Sequence, residues 1–582
     1  MKIFTWITSL SLLVSCVAIS NLRAQTLPVG TPVLEDYYRR LQLLGKVDST
    51  ISFNIRPLTL QALQRRNIFD PDSNLTKDNS IVWKKEEEGL VQLLPVISEH
   101  QYTSAYPYGW NDGAMIPNVG YQTFFSAGVY ARYKFISLQL RPEFVYAQNK
   151  AYAGYGGTTE AAWKLWYSFR NNIDMPERFG DGGYTKLLAG QSSVRITFDP
   201  VSFGLSTENI WWGPGLRNSL LMSNTAPGFP HLTLNSTKPV KTKIGYFEGQ
   251  LIAGKLKASG FTPTPLGNPD HYDQYYEPKP DDWRYLSGAI FSYQPKWVPG
   301  LSLGLSQSFV VYHEDMGSGL NDYLPFLGPK SRSRVSRPGE PLPVDENGEP
   351  IENAIGREEL RKRDRYASFF VRWVMPKGKA EFYAEYGRND PPFNSRDKML
   401  EPEHSRAYVL GFRKLVPLKA EDLLQVNIEL TQLDRSRTSA IRSSPSWYQH
   451  SIVRDGYTYL GQILGAGIGP GGSLQSLNVS WLRGMKQLGI QLERQEHDAD
   501  FFYEAVADKK DYRKNWVDLS ASLLGQWDYK NFLFNARMHF THAFNYQYEI
   551  IERPNPTNAD FWKFGHVDKF NFQMQIGAMY RF

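Results

Sequence analysis

Cysteine is nearly missing from this chain: Cys16 is the only one in 582 residues. A single thiol excludes structural disulfides and cysteine metal sites, and it leaves no thiol chemistry once a leader containing it is removed. Such poverty suits a chain that crosses an oxidising compartment and must not cross-link on the way. Long hydrophobic runs are also missing. After the first 19 residues no apolar stretch is long enough for a spanning helix, so a helical inner-membrane protein is excluded. A large excess of either charge is missing too: 65 Lys and Arg stand against 59 Asp and Glu. The formal charge is +6, and losing Lys2 and Arg23 with a leader brings it to +4. That balance gives no reason to expect nucleic acid as a partner.

Enzyme signatures are missing as well. The sequence has no HExxH, and its ten histidines show no paired metal spacing. Gly467, Gly469 and Gly472 fit GxGxxG by letter, but Pro470 interrupts them and a strand pattern follows where a helix is needed. The stretch Gly204-Leu205-Ser206-Thr207-Glu208 lacks the second glycine of a nucleophile elbow. His313, Glu314, Asp315, Asn321 and Asp322 match no EF-hand spacing. The expectation is a non-enzyme with no cofactor and no metal.

Aromatic residues are abundant: 14% of the chain, with 15 Trp, at a mean hydropathy of only −0.44. A β-barrel in a membrane reconciles the two numbers. Only alternate residues touch lipid, and aromatic girdles mark both interfaces. The last thirteen residues carry the pattern most clearly. Phe570, Phe572, Met574, Ile576, Ala578, Tyr580 and Phe582 fall on one side; Asn571, Gln573, Gln575, Gly577, Met579 and Arg581 fall on the other. An aromatic final residue on the apolar side is the ending expected of a barrel's closing strand. The same period of two recurs at Ile136–Leu140, Leu301–Leu305, Phe382–Tyr386, Val426–Leu430, Val517–Leu523 and Phe532–Phe540. Charges inside these segments keep to the polar side, as they must, because a lipid-facing charge near the midplane costs about 2–4 kcal/mol. The fold expected is all-β: a transmembrane antiparallel barrel of about 16–18 strands over residues 118–582. Short turns fall at 376–378, 484 and 528–530. Long outer loops fall at 262–282, 314–364 and 434–473.

The start of the chain reads differently. Lys2, the apolar run Ile3–Ile19 and the small residue Ala24 make residues 1–24 a secretory signal peptide. Leu13-Val14-Ser15-Cys16 offers an alternative, lipoprotein-type processing at Cys16. Residues 25–117 read as a helical section at the periplasmic end. Thr31-Pro32 starts one helix, with Leu34, Tyr37, Tyr38, Leu41 and Leu44 on one face and Gly45 as its stop. Leu58–Arg66 reads as a second helix and Lys84–Leu94 as a third. Three short helices bury too little to stand alone and should pack on the barrel mouth.

The most specific block is Trp211-Trp212-Gly213-Pro214-Gly215, extended by Ser223-Asn224-Thr225-Ala226-Pro227-Gly228-Phe229-Pro230. Together with the stretch from Gly465 to Ala505, it resembles the signature of the Wzi-type capsule-assembly family of outer-membrane proteins. The resemblance covers nearly the whole mature chain. It implies an 18-stranded barrel, a helical periplasmic section, long outer loops, and a lectin-like role in holding capsular or extracellular polysaccharide. From the residues alone, Trp211 to Gly215 read as a structural turn more readily than as a sugar platform.

Polysaccharides are held by aromatic faces and by polar groups around them, and acidic sugars add a use for the planar fork of Arg. The loop 434–459 has both. Arg435, Arg437, Arg442 and Arg454 are interleaved with Trp447, Tyr448 and Tyr457, and these seven are the candidate polysaccharide contacts. A solvated loop whose aromatics anchor it to the rim is the competing reading. A second basic cluster, Arg332, Arg334 and Arg337, is followed by Glu340, Asp345, Glu346 and Glu349 and reads as solvated. The expected partners are polysaccharide, outer-membrane lipid and polysaccharide export machinery, for a monomer in the bacterial outer membrane. Two rival functions stay open: a porin or transport channel, and an outer-membrane hydrolase, which would need a His and a Ser on adjacent strands near the outer rim; His539 and His542 flank the end of one strand.

Overall fold

The structure is a computed structural model. It describes residues 25–582 apart from 76–78, 86–87, 158, 264–268, 328–362, 390–394, 441, 443, 507–511, 552–556 and 558–560. Residues 1–24 with Cys16, expected to be a signal peptide, the Arg332–Arg337 cluster and its acidic followers lie outside the described residues.

Eighteen antiparallel strands close into a barrel. In chain order they are β1 (Gly89–Tyr108), β2 (Asn118–Tyr133), β3 (Ile136–Leu140 continued by Glu143–Ala147) and β4 (Tyr184–Leu188 continued by Ser193–Phe198). Next come β5 (Val201–Ser206), β6 (His231–Ser236), β7 (Gly245–Leu256), β8 (Arg284–Pro295) and β9 (Leu301–Tyr312). Then β10 (Arg363–Met375), β11 (Ala380–Arg388), β12 (Arg406–Pro417), β13 (Leu423–Gln432) and β14 (Ser473–Arg483). The last are β15 (Lys486–Glu496), β16 (Val517–Tyr529), β17 (Phe532–Phe544) and β18 (Lys569–Tyr580). Each pairs with the next, and β18 pairs with β1, Tyr580 opposite Val96 and Gln573 opposite Thr103. Closure leaves no free edge inside the membrane.

The alternation read from sequence is the alternation seen. Phe532, Phe534, Met538 and Phe540 point outward, whereas Leu533 and His539 point in and are buried. Ile428 and Leu430 face out while Gln425 and Glu429 face in. The short connections all lie at one end. They include Lys134-Phe135, the 3-10 turn Pro376–Gly378, Gly484 and Lys530-Asn531. Gly484 sits at φ +58°, the left-handed region glycine enters at no steric cost. The long connections lie at the other end, which in barrels of this kind is the outer one.

The N-terminal section fills the inner end of the barrel. Helix α1 (Pro32–Leu43) has Thr31 at its N-cap position, and Gly45 follows with φ +71°. The Thr31 hydroxyl does not cap the helix; it donates to the Pro28 carbonyl, and Glu35 accepts from Gly30 N–H instead. The second helix is shorter than its pattern, Leu60–Leu63, because Leu58-Thr59 is drawn into a two-residue pairing with Thr26-Leu27. The apolar faces of both helices pack on the inward residues Leu94, Tyr130, Met485, Leu533 and Met579 of the barrel wall.

The third expected helix, Lys84–Leu94, is not there. Ile81–Lys85 is a strand that pairs with the start of β1 at Gly89. The barrel therefore begins at Gly89, inside the segment the sequence assigns to the helical section. The physical reason is a slip in register. The pairing of β1 with β2 shifts between Leu94 and Ile97, at Pro95, so the inward frame changes there. The run Leu93-Leu94-Pro95-Val96-Ile97, which straddles that slip, loses the period of two, and Leu90, Leu93 and Leu94 imitate a helical face.

Candidate functional site

Between β5 and β6 the chain leaves the wall at Thr207 and returns at His231. This segment carries the Trp-Trp-Gly-Pro-Gly block, and it turns into the barrel. Trp211 and Trp212 form a two-residue pairing with Ile55 and Arg56 of the N-terminal section. The filling that enters from the inner end and the filling that enters from the outer end thus meet in the lumen.

Each residue of the block has a steric or polar reason. Trp212 is fully buried, donates its indole N–H to Gln250 Oε1 at 2.8 Å, and lies against Gly288 of β8, where a Cβ would come within 2.7 Å of the ring. Gly213 has φ +118° and donates its N–H to the Asn54 carbonyl. A Cβ on Gly215 would meet the Asn218 carbonyl at 1.8 Å. The next turn grips the wall. The backbone N–H groups of Leu216, Arg217 and Asn218 all donate to the Glu429 carboxylate, at 2.7 to 3.1 Å, and the Tyr383 hydroxyl donates to it at 2.8 Å. Arg217 makes a two-pronged pair with Glu493, at 2.9 and 3.1 Å. The flanking carboxylates raise the already high pKa of that guanidinium further, despite its burial. Burial and the N–H donors make these contacts strong in a place that water reaches poorly.

The inner filling is tied by the same chemistry. Glu381 of β11 receives Arg39 from α1 at 2.9 Å and Arg372 from β10 at 2.6 Å, with Arg413 of β12 at 3.7 Å. Arg413 also pairs with Asp36. Ser52 N–H donates to Glu248, and Asn54 Nδ2 donates to Ser292 and Ser302. A chamber of about 360 Å³ remains beside the joined fillings, against the barrel wall, lined by Arg39, Arg56, Trp110, Asp112, Arg217 and Arg537 among others.

The loop between β13 and β14 covers the outer mouth. Its seven candidate residues share one mass of chain but have different surroundings. Trp447, Tyr448 and Tyr457 are buried in the core beneath the mouth with Leu220, Met222 and Tyr366. Trp447 donates to the Arg406 carbonyl, Tyr448 to the Leu220 carbonyl at 2.9 Å, and the hydroxyls of Tyr457 and Ser308 lie 2.7 Å apart. Arg435 pairs with Asp500 and Glu504, Arg442 pairs with Asp397 at 2.8 Å, and Arg454 pairs with Glu277 at 3.3 Å. Arg437 is exposed on a short 3-10 turn, Arg437–Ala440. The aromatics thus anchor the loop, and three of the four arginines are held by carboxylates of neighbouring loops. Tyr448 has φ +71°, a conformation costly for a ring-bearing residue and sustained here by its hydroxyl bonds to Leu220 and Ala466.

Two further expectations are located. His313, Glu314 and Asp315 occupy one 3-10 turn, and Asp322 is engaged by Arg363 at 3.4 Å. Ser522 of β16 and His539 of β17 do lie side by side, Oγ to Nδ1 at 2.7 Å. Both are buried, the other ring nitrogen of His539 meets Thr541, and Tyr108 stacks on the imidazole at 4.1 Å. His542 pairs with Asp568 at 3.3 Å instead. Among the described residues the Ser522–His539 pair therefore has no carboxylate on the imidazole, and a ring covers its face. Sequence periodicity could place both residues inward, but not the Tyr108 that covers them.

A closed, lipid-belted barrel filled from both ends defines a class of outer-membrane protein. The sequence profile of a family described as "Capsule assembly protein Wzi" matches residues 118–549. The chain belongs to that family. Among solved structures it is similar to Wzi of Escherichia coli, described as an outer membrane protein involved in group 1 capsule assembly and a carbohydrate-binding β-barrel. The two share 12% identity at a TM-score of 0.55, over 96% of this chain and 100% of that one. It is also similar to OccAB4 of Acinetobacter baumannii, with 9% identity and a TM-score of 0.35, over 85% of this chain and 98% of that one. No curated protein sequence matches it.

Proposed function

We propose that the protein binds capsular or extracellular polysaccharide at the cell surface, during capsule assembly or attachment, by non-covalent contacts alone. The observation that carries this reading is the filled lumen. A channel needs a continuous wet path, whereas here Trp211 and Trp212 join the inner filling across the bore. The family and the carbohydrate-binding barrel it resembles in fold support the same reading. The polysaccharide's charged contacts are Arg435, Arg437, Arg442 and Arg454 on the outer loop, with Trp447, Tyr448 and Tyr457 as the floor that fixes them. Many weak contacts to a repeating chain add by avidity. The protein acts as a monomer in outer-membrane lipid, reaches it by way of the signal peptide, and receives its glycan from the export machinery.

The test is retention of capsular polysaccharide, extracted from the producing cells, on the purified protein in detergent. Retention that falls when Arg435, Arg437, Arg442 and Arg454 are changed to Ala together supports the reading. Release of shortened polysaccharide by the wild type, abolished by Ser522→Ala alone, would favour the hydrolase.

A further inference from the structure

Beyond the mouth, one group of exposed rings stands apart. Tyr512, Phe561 and Trp562 meet one another at 5.5 to 5.8 Å between ring centres. Trp562 is 62% exposed and Tyr512 59% exposed. Arg513 organises them: its guanidinium lies 4.4 Å over the Phe561 ring and 5.4 Å over Phe564, and it donates to the Phe561 carbonyl at 2.7 Å. Asn545 holds the backbone of this segment from the top of β17, donating to the carbonyls of Arg513 and Asn515. In sequence Lys514 and Lys563 flank the rings on one side, and Asp511 and Asp560 on the other. The cluster is thus aromatic and built, where a solvated loop would be polar and loose.

An exposed tryptophan on a membrane barrel is ordinarily an interface anchor. The geometry of β18 argues against that here. The lipid-facing residues of this strand run from Phe570 to Tyr580. Ten residues at about 3.3 Å each, tilted by about 40°, span about 25 Å, which is the height of the apolar band. Phe570 therefore already stands at the outer edge of the lipid. The chain beyond it stays paired with the other arm: Tyr546 N–H donates to the Val567 carbonyl, and Ile550-Ile551 pairs with Gly565-His566. This hairpin carries Trp562, eight residues past Phe570, away from the band.

We infer that Tyr512, Phe561 and Trp562, held in place by Arg513, form a second polysaccharide contact, separate from the β13–β14 loop. The rings take the C–H faces of the sugar. The inference rests on the polysaccharide-binding reading and names a site for it.

The test compares wild type with the double variant Tyr512→Ala, Trp562→Ala on the same extracted capsular polysaccharide. Both side chains are more than half exposed, so the thermal transition of the variant should match wild type. The inference expects retention weakened about tenfold. Equal retention by variant and wild type would overturn this site while leaving the general reading standing. No retention by the wild type would overturn both. A second measurement addresses the membrane directly. In vesicles of brominated phosphatidylcholine, the fluorescence difference between wild type and Trp562→Phe should be unquenched; quenching would make Trp562 a lipid anchor and overturn the inference.

Discussion

Trp211 lies beneath the guanidinium of Arg56, 4.3 Å from the ring centre, and the same two residues pair through their backbones. Arg56 also donates to the Gly215 carbonyl at 3.3 Å and pairs with Glu35 of α1 at 3.5 Å. One side chain from the N-terminal section thus holds the outer insertion at two points and its own helix at a third. Arg56→Ala removes the cation–ring contact and a charged hydrogen bond, and should cost about 2–3 kcal/mol. Equilibrium unfolding in detergent measures it.

Trp212 and Gly288 are a matched pair of large and small. Trp212→Ala should cost about 3–5 kcal/mol, since the indole is fully buried and the wall around it is a rigid sheet. Gly288→Ala should cost about 1–3 kcal/mol by overpacking, because its Cβ would lie 2.7 Å from the indole. The two changes together should cost less than their sum, and a double-mutant cycle in the same unfolding assay reads that coupling.

Glu429 is the single acceptor for three consecutive backbone N–H groups of the insertion. Glu429→Ala leaves all three without that partner, at about 1–3 kcal/mol each. The barrel has its own pairings and should persist while the insertion loosens. Planar-bilayer recordings of this variant should show openings that wild type lacks.

Burial, with the Asp500 carboxylate beside it, pushes the Asp498 carboxyl up to about 7. An unfolded Asp titrates near about 3.9. Between these values the folded state holds the proton and the unfolded state does not, so this group's contribution to stability is present below about pH 4 and is lost as pH rises through 7. Asp498→Asn keeps an oxygen to accept from Phe501 N–H, as Asp498 Oδ1 does at 3.1 Å, and removes the titration. Its melting temperature relative to wild type should therefore rise from pH 4 to pH 8.

Much of the barrel was legible because lipid outside and a polar lumen inside impose a period of two. The alternating segments named from the sequence lie in strands of the observed wall, the last of them running two residues past the end of β18 at Tyr580. The slip at Pro95 hid the start of β1 by breaking that period locally. The seven loop residues were found by composition, and composition alone does not separate a ring that packs downward from one that faces water. Trp447, Tyr448 and Tyr457 pack because Leu220 and Met222 arrive beneath them from a segment more than two hundred residues earlier. The exposed set at Tyr512 and Trp562 was missed for the converse reason. Its rings come from two separate loops, and only the hairpin above β17 and β18 brings them together.

The filled bore is tested most directly by conductance. Purified wild-type protein, inserted into a planar bilayer with its fold verified by circular dichroism, should give silent insertions at moderate voltage. Steady, porin-like current from the wild type would contradict a lumen closed where Trp211 meets Arg56, and with it the assignment of the barrel to holding glycan in place of passing solute.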